Sequence, residues 1–146
     1  SILVTDSNGN AVSDAEVYLS TWPTKFRTGY INATNQTVSQ VFPNEDTNRN
    51  LIMDPGENCR TCGYVADDQL TPPQSAAGSL PSSVITNDAG IANFKLQYLK
   101  QYAIWTKAEI KASTKVHGTE SISTMTFWLP YEEGEEDNLP SPPFNP

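Results

Sequence analysis

Hydrophobic and polar residues alternate along several stretches of this chain with the two-residue period that places neighbouring side chains on opposite faces of a β-strand. In residues 15–22, Ala15, Val17 and Leu19 fall on one face, and more polar neighbours fall on the other. Turn-forming residues such as the Asn8-Gly9 step separate these stretches. The pattern predicts strands at 2–5, 15–22, 26–31, 37–42, 83–86, 92–98, 103–112 and 119–129.

Two of these strands carry more specific expectations. Pro23 has no N–H group to give to a ladder, so it is expected to end the second strand. In residues 103–112, the alternation puts Trp105 on the face opposite Ile104 and Ile110.

The pattern shows no convincing helix, so the predicted fold class is all-β. The number and length of the strands are typical of an antiparallel β-sandwich. Residues 1–129 form one domain in this interpretation, with a long loop insertion at 43–82. Residues 130–146 form an acidic, proline-rich tail or linker, since their composition does not provide a core of its own.

The insertion contains a run of oxygen-bearing side chains with the spacing of a calcium loop. Calcium takes six to eight oxygen ligands on a flexible backbone, and the carbonyl of Ile52, at the seventh position, adds to the side chains. Leu51 stands where such loops carry Gly, and Pro43 and Pro55 argue against flanking helices. The alternative is an asparagine-rich turn that binds nothing specific. The side-chain ligands, at positions one, three, five, nine and twelve, are Asp46, Asn48, Asn50, Asp54 and Glu57.

The chain has two cysteines, Cys59 and Cys62, just after this loop. A structural zinc site needs four ligands, and the sequence adds only one imidazole, His117, to the two thiols. No strand–helix pattern of a redox motif surrounds Cys59. We therefore expect a disulfide that staples the loop in an oxidising compartment, with two reduced thiols as the alternative.

The formal net charge is −8, from 17 acidic and 9 basic residues, and five of the acids lie within 132–137 of the tail. The sequence has no basic patch for a phosphate backbone, which argues against nucleic-acid binding. It has no apolar run long enough to span a membrane. Because it opens at Ser1 without an initiator Met, we interpret it as an excised piece or a processed product.

Catalytic motifs are missing from the sequence. His117 lies beside a predicted turn, and the chain has no Gly-x-Ser-x-Gly elbow and no phosphate-binding loop. The adjacent acids of the tail are better explained as a solvated charge run than as a catalytic pair. We therefore expect a protein that is not an enzyme.

Three short segments carry a family resemblance. They are VTDSNGNAV from Val4 to Val12, AEVYL from Ala15 to Leu19, and TNDAGIANF from Thr86 to Phe94. Together they resemble the two halves of a bacterial Ig-like domain of the invasin and intimin type. The resemblance covers most of residues 2–129 in strand order and implies an Ig-like sandwich. The insertion at 43–82 departs from the family pattern.

The resemblance also implies a function. Domains of that family stack into stalks that hold adhesive tips away from the cell surface. We therefore expect a structural or adhesion module of a bacterial surface or secreted protein, located outside the cell or in the periplasm. Its partners would be neighbouring domains of the parent chain, and a protein or glycan on a host or cell surface.

A binding module that uses exposed aromatic rings is the alternative function. Such rings suit sugar faces and protein hot spots, although they could also pack inside the second sheet. The candidate rings are Tyr18, Trp22, Trp105 and Trp128.

Overall fold

A computed structural model describes residues 1–34, 36–58 and 67–144. All the regular elements longer than four residues are strands, which confirms the prediction of an all-β, antiparallel chain. The helical residues described form three short 3-10 turns at Gln74–Ala77, Lys100–Tyr102 and Glu136–Asn138. The strands are β1 (Ile2–Leu3), β2 (Glu16–Ile31), β3 (Thr37–Pro43), β4 (Ser83–Ile85), β5 (Ile91–Ala92), β6 (Thr106–Val116) and β7 (Thr119–Trp128).

These strands form two sheets. The smaller sheet is the antiparallel pair β1–β5. The larger sheet has the order β3-β2-β6-β7, and β4 also pairs with β2. Strand β2 therefore has two successive antiparallel partners along one edge, β4 opposite residues 16–18 and β3 opposite residues 25–31.

The chain divides into two compact units, and β2, β6 and β7 each contribute residues to both. Unit 1 contains β1, β4 and β5, and unit 2 contains β3, the insertion as far as Gly78, and the tail. Unit 1 comprises residues 1–21, 79–97 and 109–126, and unit 2 comprises residues 22–78, 98–108 and 127–146.

Each unit has its own buried side chains. In unit 1, the core joins both sheets: Val4, which follows β1, packs with Val17 of β2 and Ala112 of β6. In unit 2, the largest fully buried side chains include Phe26 and Trp105. The alternation predicted for 15–22 is confirmed, since Ala15, Val17 and Leu19 are buried and Glu16, Tyr18 and Ser20 are exposed.

The expectation that Pro23 ends a strand is wrong, because β2 runs from Glu16 through Pro23 to Ile31. Pro23 lies between the residues that pair with β4 and those that pair with β3, so its missing N–H group removes no bond from either ladder. Its carbonyl is used, since it accepts a hydrogen bond from the side chain of Asn44.

The strand predicted at 92–98 is also wrong in extent. Strand β5 covers only Ile91–Ala92, and the segment that follows makes one isolated bridge, between Gln97 and Ser79. Side chains in this segment do alternate between exposed and partly buried. Alternation reports which way side chains face, and an extended segment can show it without a partner strand.

The strand predicted at 103–112 begins and ends later, because β6 covers Thr106–Val116. Ile104 has a φ of 62°, which interrupts the alternation before the strand starts. Trp105 was expected on the outer face, but its exposed fraction is 0%. Beyond Ile104, the predicted inner face is confirmed, since Thr106, Ala108 and Ile110 are all buried.

The predicted strands at 37–42, 83–86 and 119–129 agree with β3, β4 and β7 to within about two residues. Among the described residues of the insertion, no strand follows Pro43 until the isolated bridge at Ser79. The described residues form no helix with the length and apolar character needed to cross a bilayer.

Gly29 is required where β2 and β3 approach each other. Its φ is 137°, and a Cβ atom built there would lie 2.0 Å from the carbonyl oxygen of Val38. Gly29→Ala is therefore expected to cost more than about 2 kcal/mol, measured by urea unfolding. Gly9→Ala is the matched control, because Gly9 also has positive φ but a Cβ there would meet nothing within 4 Å. Equal losses in the two variants would contradict the assigned close approach.

Candidate functional site

The six predicted metal ligands lie in one closed loop that follows β3 in unit 2. Residues 45–57 carry four carboxylates and one arginine, so the formal charge of this stretch is −3. The carboxylates at the first and twelfth loop positions are nearly buried, with exposed fractions of 3% for Asp46 and 7% for Glu57. A buried carboxylate must be hydrogen-bonded, and the loop backbone supplies the donors.

Asp46 closes the first half of the loop. One carboxylate oxygen, Oδ1, accepts a hydrogen bond from the N–H of Asn50 at 3.1 Å. The other, Oδ2, accepts one from the N–H of Leu51 at 2.9 Å. Both bonds draw the backbone of residues 47–51 around a single carboxylate.

The two asparagines and Asp54 converge inside this half-loop. The Nδ2 atoms of Asn48 and Asn50 donate to Oδ2 of Asp54 at 2.7 and 2.8 Å. The Oδ1 atom of Asn48 accepts from the N–H of Asn50, and that of Asn50 accepts from the N–H of Ile52. Three side chains with the predicted spacing therefore meet at one carboxylate oxygen.

Glu57 closes the second half of the loop. Its Oε1 atom accepts hydrogen bonds from the N–H and the hydroxyl of Thr47, at 2.8 and 2.9 Å. Its Oε2 atom accepts from the N–H of Asp54 at 3.0 Å. These donors hold the pKa of Glu57 below its ordinary value, with the largest contribution from the Asp54 N–H, against the opposing effect of burial.

Ile52 is the one predicted ligand whose role would depend on its backbone carbonyl. Its side chain is 62% exposed, so it is free of core contacts that would fix it. The N–H group of Ile52 donates to Oδ1 of Asn50 at 2.8 Å, and this bond holds the backbone of Ile52 within the loop.

Two residues of the loop other than glycine have left-handed backbone conformations, with φ of 61° at Arg49 and 63° at Leu51. Leu51 occupies the position where a calcium loop usually carries Gly, a residue that adopts positive φ without a steric penalty. An L-residue with a Cβ atom is strained in this conformation. The N–H bond from Leu51 to Asp46 keeps the residue there.

The loop is fastened to β2 by Asn44, which is 6% exposed. Its N–H donates to the carbonyl of Thr24 at 3.0 Å, and its Nδ2 donates to the carbonyl of Pro23 at 2.5 Å. Its Oδ1 accepts from the N–H of Asp46 at 2.9 Å. One buried amide thus joins the strand to the first predicted ligand.

Sequence analysis did not single out Asn44 or Thr47. Asn44 lies two residues before Asp46, outside the spacing of the predicted ligands, so no pattern marks it. Thr47 falls between two ligands, and its hydroxyl could serve either solvent or a carboxylate. The only available signal was that Asn and Thr often bond to nearby backbone or side-chain groups in turns.

Glu45 binds the later part of the insertion, at Thr71. Its N–H donates to the carbonyl of Thr71 at 3.0 Å, and its Oε2 accepts from the N–H of Thr71 at 2.8 Å. Burial, followed by the charge of Asp67, raises the pKa of Glu45. Asp68 accepts a hydrogen bond of 2.6 Å from Asn58. Glu45 and Thr71 therefore join the two ends of the segment that contains the loop.

Cys59 and Cys62, predicted to form a disulfide, lie outside the described residues. Among the residues that are described, no group of three or more His, Cys, Asp or Glu side chains is placed to hold a metal ion. Coordination in the loop would therefore depend on amide and backbone oxygens as well as carboxylates.

The aromatic rings of the alternative function are mostly engaged within unit 2. Trp105 is buried, so it does not form an exposed platform. The guanidinium of Arg27 lies 4.3 Å from the ring centre of Trp128, and that of Arg49 lies 5.5 Å from the ring centre of Trp22. In unit 1, Tyr18 is 55% exposed, and its hydroxyl donates to Glu16 at 3.0 Å.

Comparison with known proteins gave no match to a family model, a curated protein or a solved structure. The resemblance to the invasin and intimin type therefore stays a prediction.

Leu51→Gly is expected to stabilise the protein by up to about 1 kcal/mol relative to Leu51→Ala, because glycine adopts the left-handed conformation without a Cβ penalty. Alanine is the matched control, since it shortens the same exposed side chain but keeps the Cβ atom. Urea unfolding at neutral pH measures the difference. A Gly variant no more stable than the Ala variant would contradict the assignment of strain to Leu51.

Acidification is expected to open the loop at Glu57. Its pKa is lowered in the folded protein, so its stabilising effect is present above the ordinary glutamate pKa of about 4.3 and is lost as the pH falls towards the lowered value. NMR titration of the amide protons of Thr47 and Asp54 measures this opening. Glu57→Gln should remove the transition, and an unchanged transition in that variant would assign it to another acid.

Proposed function

We propose that this chain is a non-catalytic, calcium-stiffened Ig-like module of a bacterial surface or secreted protein. The observation that carries the proposal is one closed loop with five oxygen-bearing side chains at the spacing used by calcium loops, in which Asn48 and Asn50 meet Asp54. The proposed ligands are the side chains of Asp46, Asn48, Asn50, Asp54 and Glu57 with the carbonyl of Ile52.

The charge of the loop supports a cation as the ligand. Asp46, Asp54 and Glu57 bring three carboxylates to a short segment, and two of them are nearly buried. Repulsion among like charges and the burial of ionised groups both oppose this arrangement. A divalent cation would reduce both costs, and an all-oxygen ligand set of mixed carboxylate, amide and carbonyl groups suits calcium.

Binding would require a small rearrangement. The Nδ2 atoms of Asn48 and Asn50 donate to Asp54, which puts hydrogen-bond donors where the ion needs acceptors. A half-turn of each amide about its terminal torsion would exchange nitrogen for oxygen, and it would give up the bonds that the two Oδ1 atoms accept from the N–H groups of Asn50 and Ile52. The backbone need not be rebuilt, because Asp46 and Glu57 already hold it closed.

The role of the ion would be mechanical. The loop joins β3 to the rest of the insertion, and Asn44 fastens it to β2. Calcium bound there would make the connection resistant to opening under load and would protect the insertion from proteolysis. These properties suit a spacer or adhesion module outside the cell, where calcium is at millimolar concentration and an affinity of about 0.1–1 mM is sufficient.

A sugar- or protein-binding module remains the second candidate, but the structure offers it less support. Of the candidate rings in unit 2, Trp105 is buried, and Trp22 and Trp128 each have an arginine guanidinium beside the ring. The exposed ring of Tyr18 alone is a weak platform for a sugar.

The experiment is calorimetric titration of calcium into chelator-treated protein, with thermal melts. Saturable binding is expected. A hundredfold excess of calcium over its Kd stabilises the folded state by about 2.7 kcal/mol, or roughly 5–10 °C in Tm for a chain of this size. Magnesium at equal concentration should give a smaller shift, since it prefers six ligands in strict octahedral geometry.

Asp54→Asn tests the site, because it removes one charge from the proposed ligand set and keeps the shape of the side chain. Its matched control is Asp88→Asn, the same change at an exposed acid of unit 1. The loop variant should lose most of the calcium-dependent rise in Tm, and the control should keep it. Absence of binding at about 10 mM calcium, or equal responses in the two variants, would overturn the proposal.

A further inference from the structure

The tail folds back on unit 2 along its described length, from Pro130 to Phe144. The hydroxyl of Tyr98 donates to the carbonyl of Pro130. Further along, Lys100 forms a 2.7 Å ion pair with Glu135. Each contact joins the tail to the segment that leads into β6, so the tail follows a defined course.

The tail ends, within the described residues, in an aromatic groove formed by Phe26, Tyr102 and Trp105. The ring of Phe144 lies edge-on to Phe26 at a centroid distance of 5.3 Å and stacks on Tyr102 at 5.8 Å. Phe144 is only 6% exposed. The groove therefore buries the last described side chain of the tail as completely as a core residue.

A directional hydrogen bond fixes the segment of the tail that precedes Phe144. The indole Nε1 of Trp105 donates to the carbonyl of Pro140 at 2.8 Å. Leu139 has extended backbone angles, φ −70° and ψ 139°, and Pro140, Pro142 and Pro143 favour the same conformation downstream. An extended proline-rich segment docked in an aromatic-lined groove is a known mode of peptide recognition.

A short hinge precedes this strand. Leu129 is fully buried, whereas residues 130–134 are all exposed. Gly134 has a φ of 91°, and a Cβ atom built there would meet nothing within 4 Å. Beyond the contact of Tyr98 with Pro130, residues 131–134 can therefore change their backbone angles without disturbing buried side chains.

We propose that the aromatic groove is a recognition site for a proline-rich strand ending in an aromatic ring, filled in cis by residues 139–144 and in trans by the same segment of a second copy. Identical tails make identical contacts, so exchange through the exposed hinge loses none of them. A short tether gives the cis tail an effective concentration on the order of 1 mM, so exchange is favoured where copies are crowded or the hinge is constrained.

Peptide binding to the full-length chain carrying Phe144→Ala tests the groove. This variant weakens the competing cis tail and leaves the groove residues intact. A fluorescein-labelled peptide of residues 130–144 should bind saturably, and the same peptide with Phe144→Ala should bind at least tenfold more weakly. Adding Trp105→Phe to the chain, which removes the Nε1 donor, should weaken binding about fivefold. Trp128→Phe is the control and should change nothing, because the ring of Trp128 lies against Arg27 and Lys107.

A deletion in the hinge tests whether the tail of one copy fills the groove of a second copy. Removing residues 132–134 from the otherwise native chain shortens the tether, and light scattering should then find a dimer or a larger assembly. Phe144→Ala in the shortened chain should return it to a monomer.

If the Phe144→Ala chain melts too low for titration, its Tm with about 1 mM peptide replaces the binding assay, and a rise in Tm supports the groove. No saturable binding or no rise in Tm, or a monomeric shortened chain, would overturn the proposal.

Discussion

Two nearly buried carboxylates, those of Asp46 and Glu57, set the conformation of the loop. An ionised carboxylate withdrawn from water must find donors, and here the donors are mostly N–H groups of the loop itself. Leu51, which donates one of these bonds, has a left-handed backbone conformation, and so does Arg49. The loop thus combines a strained backbone with carboxylates whose hydrogen bonds are satisfied. The negative charge that remains on the loop is the physical reason to propose a cation.

The loop depends in turn on β2. Asn44 bonds to the carbonyls of Pro23 and Thr24, and the hydroxyl of Thr24 donates to the carbonyl of Lys107 on β6. The site is therefore attached to paired strands, which hold it more firmly than a free loop would. Two residues further along β2, Phe26 forms part of the aromatic groove, so one stretch of unit 2 supports both the loop and the tail.

The sequence predicted the all-β class, because that class depends on short-range patterns of side chains, and the role of the loop residues as ligands stays a prediction. It failed where the outcome depended on partners distant in sequence. Pro23 continues a strand because β2 changes partner around it, and Trp105 is buried because the residue before it leaves the alternation. Neither event is visible in local periodicity. The docking of Phe144 was equally hidden, although an aromatic residue among the prolines of the tail was a signal for it.

The most direct test of the calcium account is a crystal structure of the protein grown in calcium. The account predicts an ion bound by six or more oxygens at about 2.3–2.6 Å, including both ends of the loop, Asp46 and Glu57. It also predicts that the side-chain oxygens of Asn48 and Asn50 face the ion. An ion-free loop at about 10 mM calcium, with both Nδ2 atoms still bonded to Asp54, would contradict it.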